Sequence, residues 1–223
     1  MAPTTRVTIL DDHQSIIDGY LYRLAGTPQV EVVATLCFGE ELEPSLSSTP
    51  ADVLLLDVSV PTSPENPNPY PILHAIPALL NHFPQLNILV ISMHNERGLI
   101  RAVMEAGASG FVLKDDQTLI RDLGNVVLSV ASGGIVLSQH ANQLLRRYES
   151  SPQNQPLSSR QLEVLSLCNA YPDWSTADLS SRLSISNSTL RNLLSSAYLR
   201  LGVHTRLAAI DKARQMGILA PLR

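Results

Sequence analysis

The sequence predicts an α/β doubly wound five-stranded parallel sheet followed by a small all-α helix-turn-helix domain, on three observations. Short Val/Ile/Leu-rich runs alternate with amphipathic stretches through the first half of the 223-residue chain, the pattern of strands covered on both faces by helices. The polar stretch SSPQNQP at 150–156 breaks that pattern, and its two prolines and lack of periodicity mark a linker. Beyond it the periodicity is helical, with no strand signal.

Strands are expected at 6–10, 30–36, 53–56, 87–91 and 110–113, with helices at 13–25, 40–46, 71–82, 96–106 and 119–131. Pro71 suits a first helical turn, where its missing N–H has no partner to lose, and Gly107 suits a helix stop. A further helix is expected at 138–149, capped by Ser138, with Leu144, Leu145 and Tyr148 on its apolar side. After the linker, helices are expected at 158–168, 176–183, 188–201 and 206–216. Domain bounds follow as 1–132 for the sheet domain, 133–156 for a linking helix and polar linker, and 157–223 for the helical domain.

Composition narrows the function classes. A hydrophobic content of 44% is enough for packed cores and argues against wholesale disorder. No apolar run approaches the roughly 20 residues that span a bilayer, and the N-terminus lacks a signal-peptide core, so no membrane association is expected. Cys37 and Cys168 have no metal-ligand spacing and read as two isolated thiols in a reducing cytoplasm. The net charge of -4 conceals an asymmetry. Residues 1–152 carry 8 Lys+Arg against 16 Asp+Glu, a net of -8, whereas 153–223 carry 8 against 4, a net of +4. A basic half on an acidic one points to a polyanionic partner for the second domain, or to ordinary surface variation.

The candidate chemistry sits at strand ends. Asp11 and Asp12 follow the first strand and Asp57 follows the third. In a doubly wound sheet these ends share one crevice, where ligands bind. Clustered carboxylates repel unless a cation lies between them, and hard oxygen ligands suit Mg²⁺. Ser92 and Lys114 end the fourth and fifth strands and add a hydroxyl and an ammonium. Three acids, a metal, a hydroxyl and a cation form a site for transferring a phosphoryl group to a carboxylate oxygen.

The stretches ILDDH at 9–13, LLLDVSVP at 54–61, ILVISMH at 88–94 and MEAGASGFVLK at 104–114 resemble those of response regulators of the NarL/FixJ class. Such proteins join a flavodoxin-like receiver domain to a LuxR-type helix-turn-helix, and the resemblance covers nearly the whole chain. It implies that a sensor histidine kinase phosphorylates Asp57, and that Asp11, Asp12, Asp57 and the main-chain carbonyl of Ser59 hold Mg²⁺. It further implies that Ser92 and Lys114 contact the phosphoryl oxygens and that Phe111 is the aromatic that turns inward as the serine moves. A phosphoryl group adds about -1.5 to -2 charges and three acceptor oxygens, enough to draw both residues inward.

The sequence departs from that family after Asp57, where VPTSPENPNPYP at 60–71 makes a loop longer than ordinary βα connections. Five prolines favour an extended, polyproline-like path. The segment reads either as a tolerated surface insertion or as a loop that screens Asp57 or selects its phosphodonor.

In the second half, LSSRQLEVL at 157–165 and DLSSRLSISNSTLRNLLSSAYLRLGVHTR at 178–206 resemble a LuxR-type domain, with Leu179, Leu183, Ile185 and Leu190 as core positions. The resemblance makes 188–201 the recognition helix for double-stranded DNA, presenting Asn187, Ser188, Arg191, Asn192 and Ser195, with Arg191 and Arg200 as phosphate anchors. Ser188 and Leu193 stand where the family usually has Lys or Gly, and His, respectively. NAYPDW at 169–174 replaces a short Gly-containing turn. The last helix, with Leu207, Ile210, Ala213 and Met216 at helical spacing, is expected to support a homodimer in the active form.

The expected protein is therefore a cytoplasmic transcription regulator rather than an enzyme. Its rivals are a regulator of the same fold that works without phosphorylation and a signalling adaptor whose helical domain binds protein. An enzyme with an aspartyl-phosphate intermediate fits poorly, because only Val58 and Ser59 follow Asp57 where a second carboxylate would be needed.

Overall fold

The computed structural model describes residues 4–146 and 157–221. The expected linker at 150–156 and the far end of the helix expected at 138–149 lie outside the described residues.

Six parallel strands form one sheet in the order β2-β1-β3-β4-β5-β6. They are β1 (Thr5–Leu10), β2 (Val30–Leu36), β3 (Val53–Leu56), β4 (Asn87–Ser92), β5 (Gly110–Leu113) and β6 (Val136–Leu137). The expectation of five strands missed β6, a two-residue strand paired with Gly110 and Phe111. Gly110 makes that pairing possible, since a Cβ there would lie 2.4 Å from the Val136 carbonyl oxygen.

Alternate side chains of the strands enter two apolar layers, which is why the runs are apolar throughout. Val7, Ile9, Val53, Leu55, Leu89, Ile91 and Val112 face one layer. That layer is closed by Ile17, Tyr20 and Leu24 of α1 (Gln14–Leu24) and by Leu123, Val126 and Val127 of α6 (Leu123–Ala131). Leu10, Leu54, Leu56, Ile88, Val90, Phe111 and Leu113 face the other. There they meet α2 (Leu42–Ser48), α3 (Ile72–His82) and α4 (Arg97–Glu105).

The helix expected at 119–131 is two helices, because Asp122 leaves helical geometry at φ -100, ψ 27. The first, α5 (Gln117–Arg121), starts early because the Asp116 side chain accepts from the Leu119 amide and caps it. In α7 (Gln139–Arg146) the Ser138 carbonyl accepts from the Asn142 amide. The Ser138 hydroxyl is buried and has no hydrogen-bond partner among the described residues, so the expected side-chain cap is corrected.

The helical domain comprises α8 (Ser159–Ala170), α9 (Thr176–Arg182), α10 (Asn187–Leu201) and α11 (Arg206–Gln215). A hydroxyl caps each one: Ser158, Ser175, Ser186 and Thr205 accept from the third amide of the following helix. Ser184, in the turn between α9 and α10, takes the left-handed conformation at φ 52, and Gly202 ends α10 at φ 68. Leu179, Leu183 and Leu190 are buried as expected, and Ile185 is partly so.

The two domains are docked. Helix α8 packs on α3 and α4, and one continuous apolar cluster runs from the sheet through these helices into the helical domain. At the seam the His74 Nδ1 lies 2.9 Å from Glu163 Oε1, both side chains being largely buried. Arg160 also binds Glu163. The Leu99 amide donates to the Gly217 carbonyl at 3.0 Å.

The proline-rich loop is a closed hairpin rather than an extended chain. Pro61 and Pro69 form an antiparallel bridge, and the Thr62 amide and hydroxyl both donate to the Asn68 carbonyl at 2.9 Å. The Gly39 and Glu40 amides of the 3₁₀ turn Gly39–Glu41 donate to the Pro61 and Thr62 carbonyls, each at 3.0 Å. No described helix is long and apolar enough to cross a membrane.

Candidate functional site

Strand topology brings the expected acidic residues together. Asp57 leaves β3 with its amide donating to the Leu10 carbonyl at 2.9 Å, which fixes it beside the end of β1. The Lys114 Nζ lies 3.0 Å from Asp57 Oδ2 and 2.6 Å from Asp11 Oδ2. Asp57 Oδ1 accepts from the Val58 amide at 2.7 Å. Asp11 and Asp57 are almost fully buried. Burial pushes the Asp57 carboxyl above its ordinary range, Lys114 opposes that shift and Asp11 adds to it, with a net rise.

Asp12 lies next to them, with His13 Nδ1 3.0 Å from its Oδ1. Donor atoms of Asp11, Asp12 and His13 lie within 4.8 Å of one another. Three carboxylates against one lysine leave an excess of negative charge on hard oxygen donors, a set that fits a divalent cation such as Mg²⁺. His13 was not anticipated, although it stands directly after the paired acids.

Ser92 is wholly buried at the end of β4, and its hydroxyl accepts from the His94 amide at 3.0 Å. The Lys114 amide donates to the Ser92 carbonyl at 2.8 Å, which ties the two strand ends together. His94 Nε2 lies 2.8 Å from the Ser59 hydroxyl, so a side-chain bridge joins the segments that follow Asp57 and Ser92. The sequence reading missed this bridge. Its only signal was a histidine two residues beyond a strand-end serine. Phe111 is buried in the α3–α4 layer, already inward.

The second candidate site is a surface. Asn187, Ser188, Arg191, Asn192 and Ser195 are all exposed on α10, as is Arg200 near its end. Asn187, Ser188, Arg191, Asn192 and Ser195 fall within one arc of the helix, and Arg200 lies off that arc, while Leu190, Leu194, Ala197 and Leu201 fill the core. Arg206 is engaged internally, donating to the Trp174 carbonyl at 2.6 Å, and Arg214 binds Asn169 and Asp211.

Comparison with known proteins agrees with both halves. Residues 7–124 match the response regulator receiver domain, and residues 155–213 match the bacterial regulatory proteins of the luxR family. The chain is a response regulator of the NarL/FixJ class. Among similar curated proteins, this response regulator is 26% identical over 219 residues to the transcriptional regulatory protein MctR of Rhizobium johnstonii, covering 98% of this chain and 97% of that one. It is also 26% identical over 206 residues to the transcriptional regulatory protein RcsB of Escherichia coli, covering 92% of each. Among solved structures, RcsB of Salmonella enterica serovar Typhimurium bound to promoter rprA with the phosphomimetic BeF3- aligns at a TM-score of 0.65 and 25% identity. That alignment covers 94% of this chain and 98% of the other.

Proposed function

We propose that this response regulator is switched by phosphorylation of Asp57 and that its helical domain binds double-stranded DNA to control transcription. The observation that carries the reading is the buried pair of Asp57 and Asp11 on either side of Lys114, next to Ser92. The phosphodonor is the phosphohistidine of a sensor kinase. A carboxylate oxygen of Asp57 forms the new O–P bond as the P–N bond to the kinase histidine breaks, and the histidine keeps the electron pair. Asp11, Asp12, Asp57 and the Ser59 main-chain carbonyl hold Mg²⁺, which when bound offsets the charge on the transferring group. Lys114 pairs with a phosphoryl oxygen and the Ser92 hydroxyl donates to another, giving up its contact with the His94 amide. Phe111, on the strand beside Ser92's, is already buried and holds the inward position that this rearrangement favours.

On the helical side, Asn187, Ser188, Asn192 and Ser195 face base edges while Arg191 and Arg200 hold phosphates. That the similar RcsB is solved bound to a promoter supports duplex DNA as the ligand of this domain. Leu207, exposed on α11, belongs to a homodimer contact in the active form. The protein acts in the cytoplasm as a regulator rather than as an enzyme with turnover. Its domains are a receiver at 1–132, a connecting segment at 133–156 that supplies β6 and α7, and a DNA-binding domain at 157–223.

Genome-wide mapping of bound DNA, comparing wild type with Asp57→Ala, tests both halves. Discrete sites that weaken in the variant are expected. Sites unchanged in the variant would favour regulation without phosphorylation, and no sites in either protein would favour an adaptor.

A further inference from the structure

Two of the places where this chain departs from its family lie against each other. The hairpin at 61–71 belongs to the receiver and the turn at 169–174 to the helical domain. They meet through Asn66, whose Nδ2 donates to the Ala170 carbonyl at 2.9 Å. Ala170 is the last residue of α8, so its carbonyl is one of those a helix end leaves without an internal partner. Asn66 is set up for this contact. Its Oδ1 accepts from the Asn68 amide at 3.2 Å and from the Asn68 side chain at 2.8 Å, which leaves the NH₂ group directed outward to α8.

A second strut runs beside the first. The Tyr171 hydroxyl donates to Glu40 Oε1 at 3.2 Å, and Glu40 sits on the 3₁₀ turn to which the hairpin is itself bonded. Each half is mounted firmly on its own domain. On the receiver, Tyr70 packs so closely over Gly39 that a Cβ there would lie 2.0 Å from the ring. On the helical domain, Arg206 holds the Trp174 carbonyl and Tyr171 stacks on Trp174 with centroids 3.9 Å apart.

We propose that the 61–71 hairpin and the 169–174 turn are matched halves of an intramolecular clasp that holds the helical domain on the receiver. The clasp leaves the recognition face open, since Asn187, Ser188, Arg191, Asn192 and Ser195 are exposed with the domains docked. It therefore acts by position rather than by cover. It keeps the basic domain beside a receiver half of net charge -8, which opposes approach to a polyanion, and it fixes where the recognition helix points. The hairpin begins four residues after Asp57, so the clasp is joined directly to the acceptor segment. The regulatory half of this inference rests on the DNA-binding reading above; the clasp itself does not.

Trp174 is the only tryptophan of the chain and lines the cleft beside Glu40 and Tyr70, so its fluorescence reports on the clasp. The full-length protein is compared with Asn66→Ala, and with Glu65→Ala as a hairpin variant outside the contact. Loss of one such hydrogen bond is expected to shift the closed-to-open ratio about 2- to 10-fold. Asn66→Ala should raise acrylamide quenching of Trp174 and the radius of gyration by small-angle scattering, and Tyr171→Phe should also enlarge that radius. Glu65→Ala should match wild type in both readouts. Asn66→Ala should also bind a mixed-sequence duplex more tightly without phosphorylation. Unchanged quenching and radius in Asn66→Ala would overturn the clasp. An opened clasp with unchanged duplex affinity would overturn its regulatory role. Failure of every form to bind any duplex would sink the DNA-binding reading, and with it that role, while Trp174 still decides the clasp.

Discussion

Lys114 is hydrogen-bonded to Asp57 at 3.0 Å, and the same ammonium reaches Asp11 at 2.6 Å. One cation thus serves two buried carboxylates. The ionised Asp57 is undercompensated, and burial leaves its carboxyl raised above 3.8. A group whose folded value is raised stabilises the fold fully below its unfolded value and loses that contribution as pH rises through the folded one. At neutral pH the charge on Asp57 therefore costs stability. Asp57→Asn in Mg²⁺-free buffer is expected to raise the receiver's thermal transition, by calorimetry. A lower transition temperature would contradict this.

The same excess of charge predicts a metal response. Mg²⁺ should raise the thermal transition of the wild type, because it binds the folded carboxylates and not the unfolded chain. Asp12→Asn should lose most of that rise while keeping the Lys114 bridge. An equal Mg²⁺ response in both proteins would remove Asp12 from the metal shell.

Glu163 gives the domain seam a pH dependence. Burial alone raises its carboxyl, but the hydrogen bonds and charges of His74 and Arg160 outweigh burial and hold it below 4.5. A depressed carboxyl contributes stability above its unfolded value, and that contribution disappears as pH falls through the folded one. Docking should weaken below pH 4.5, seen as faster amide exchange in α8, and Glu163→Gln should weaken it at neutral pH. Exchange independent of both would show that the seam is held by its apolar contacts.

Arg191 and Arg200 are the exposed cations assigned to DNA phosphates. Each alanine variant should reduce the slope of log affinity against log salt by about 0.9, weakening binding alike on all sequences. Asn192→Ala should instead relax preference among sequences with the slope unchanged. Salt slopes equal to wild type in both arginine variants would move the phosphate contacts elsewhere.

Much of this architecture is legible in the sequence because its signals are local. The run Val53–Leu56 followed by Asp57 marks a buried strand with an acid at its end, and helical spacing places the four helices of the second domain to within a residue of their starts, though the Ser186 cap of α10 was not read. The sixth strand was not legible, since Val136–Leu137 is too short to carry a period and exists only because Gly110 admits it. The break at Asp122 was hidden because the apolar spacing runs on through it. Acidic residues could be placed at one edge from strand order alone. The Ser59–His94 bridge, the His74–Glu163 pair and the Asn66–Ala170 contact join residues far apart in sequence, and periodicity says nothing about such pairs. His74 was the nearest thing to a warning, a titratable side chain within an otherwise apolar helix.

The central claim is that Asp57 accepts a phosphoryl group, and intact-protein mass spectrometry tests it most directly. Wild type and Asp57→Ala are incubated with acetyl phosphate and Mg²⁺, with and without EDTA. Wild type is predicted to gain the mass of one phosphoryl group in the presence of Mg²⁺ and none with EDTA, while Asp57→Ala gains none. No gain in wild type, or an equal gain in Asp57→Ala, would contradict the account.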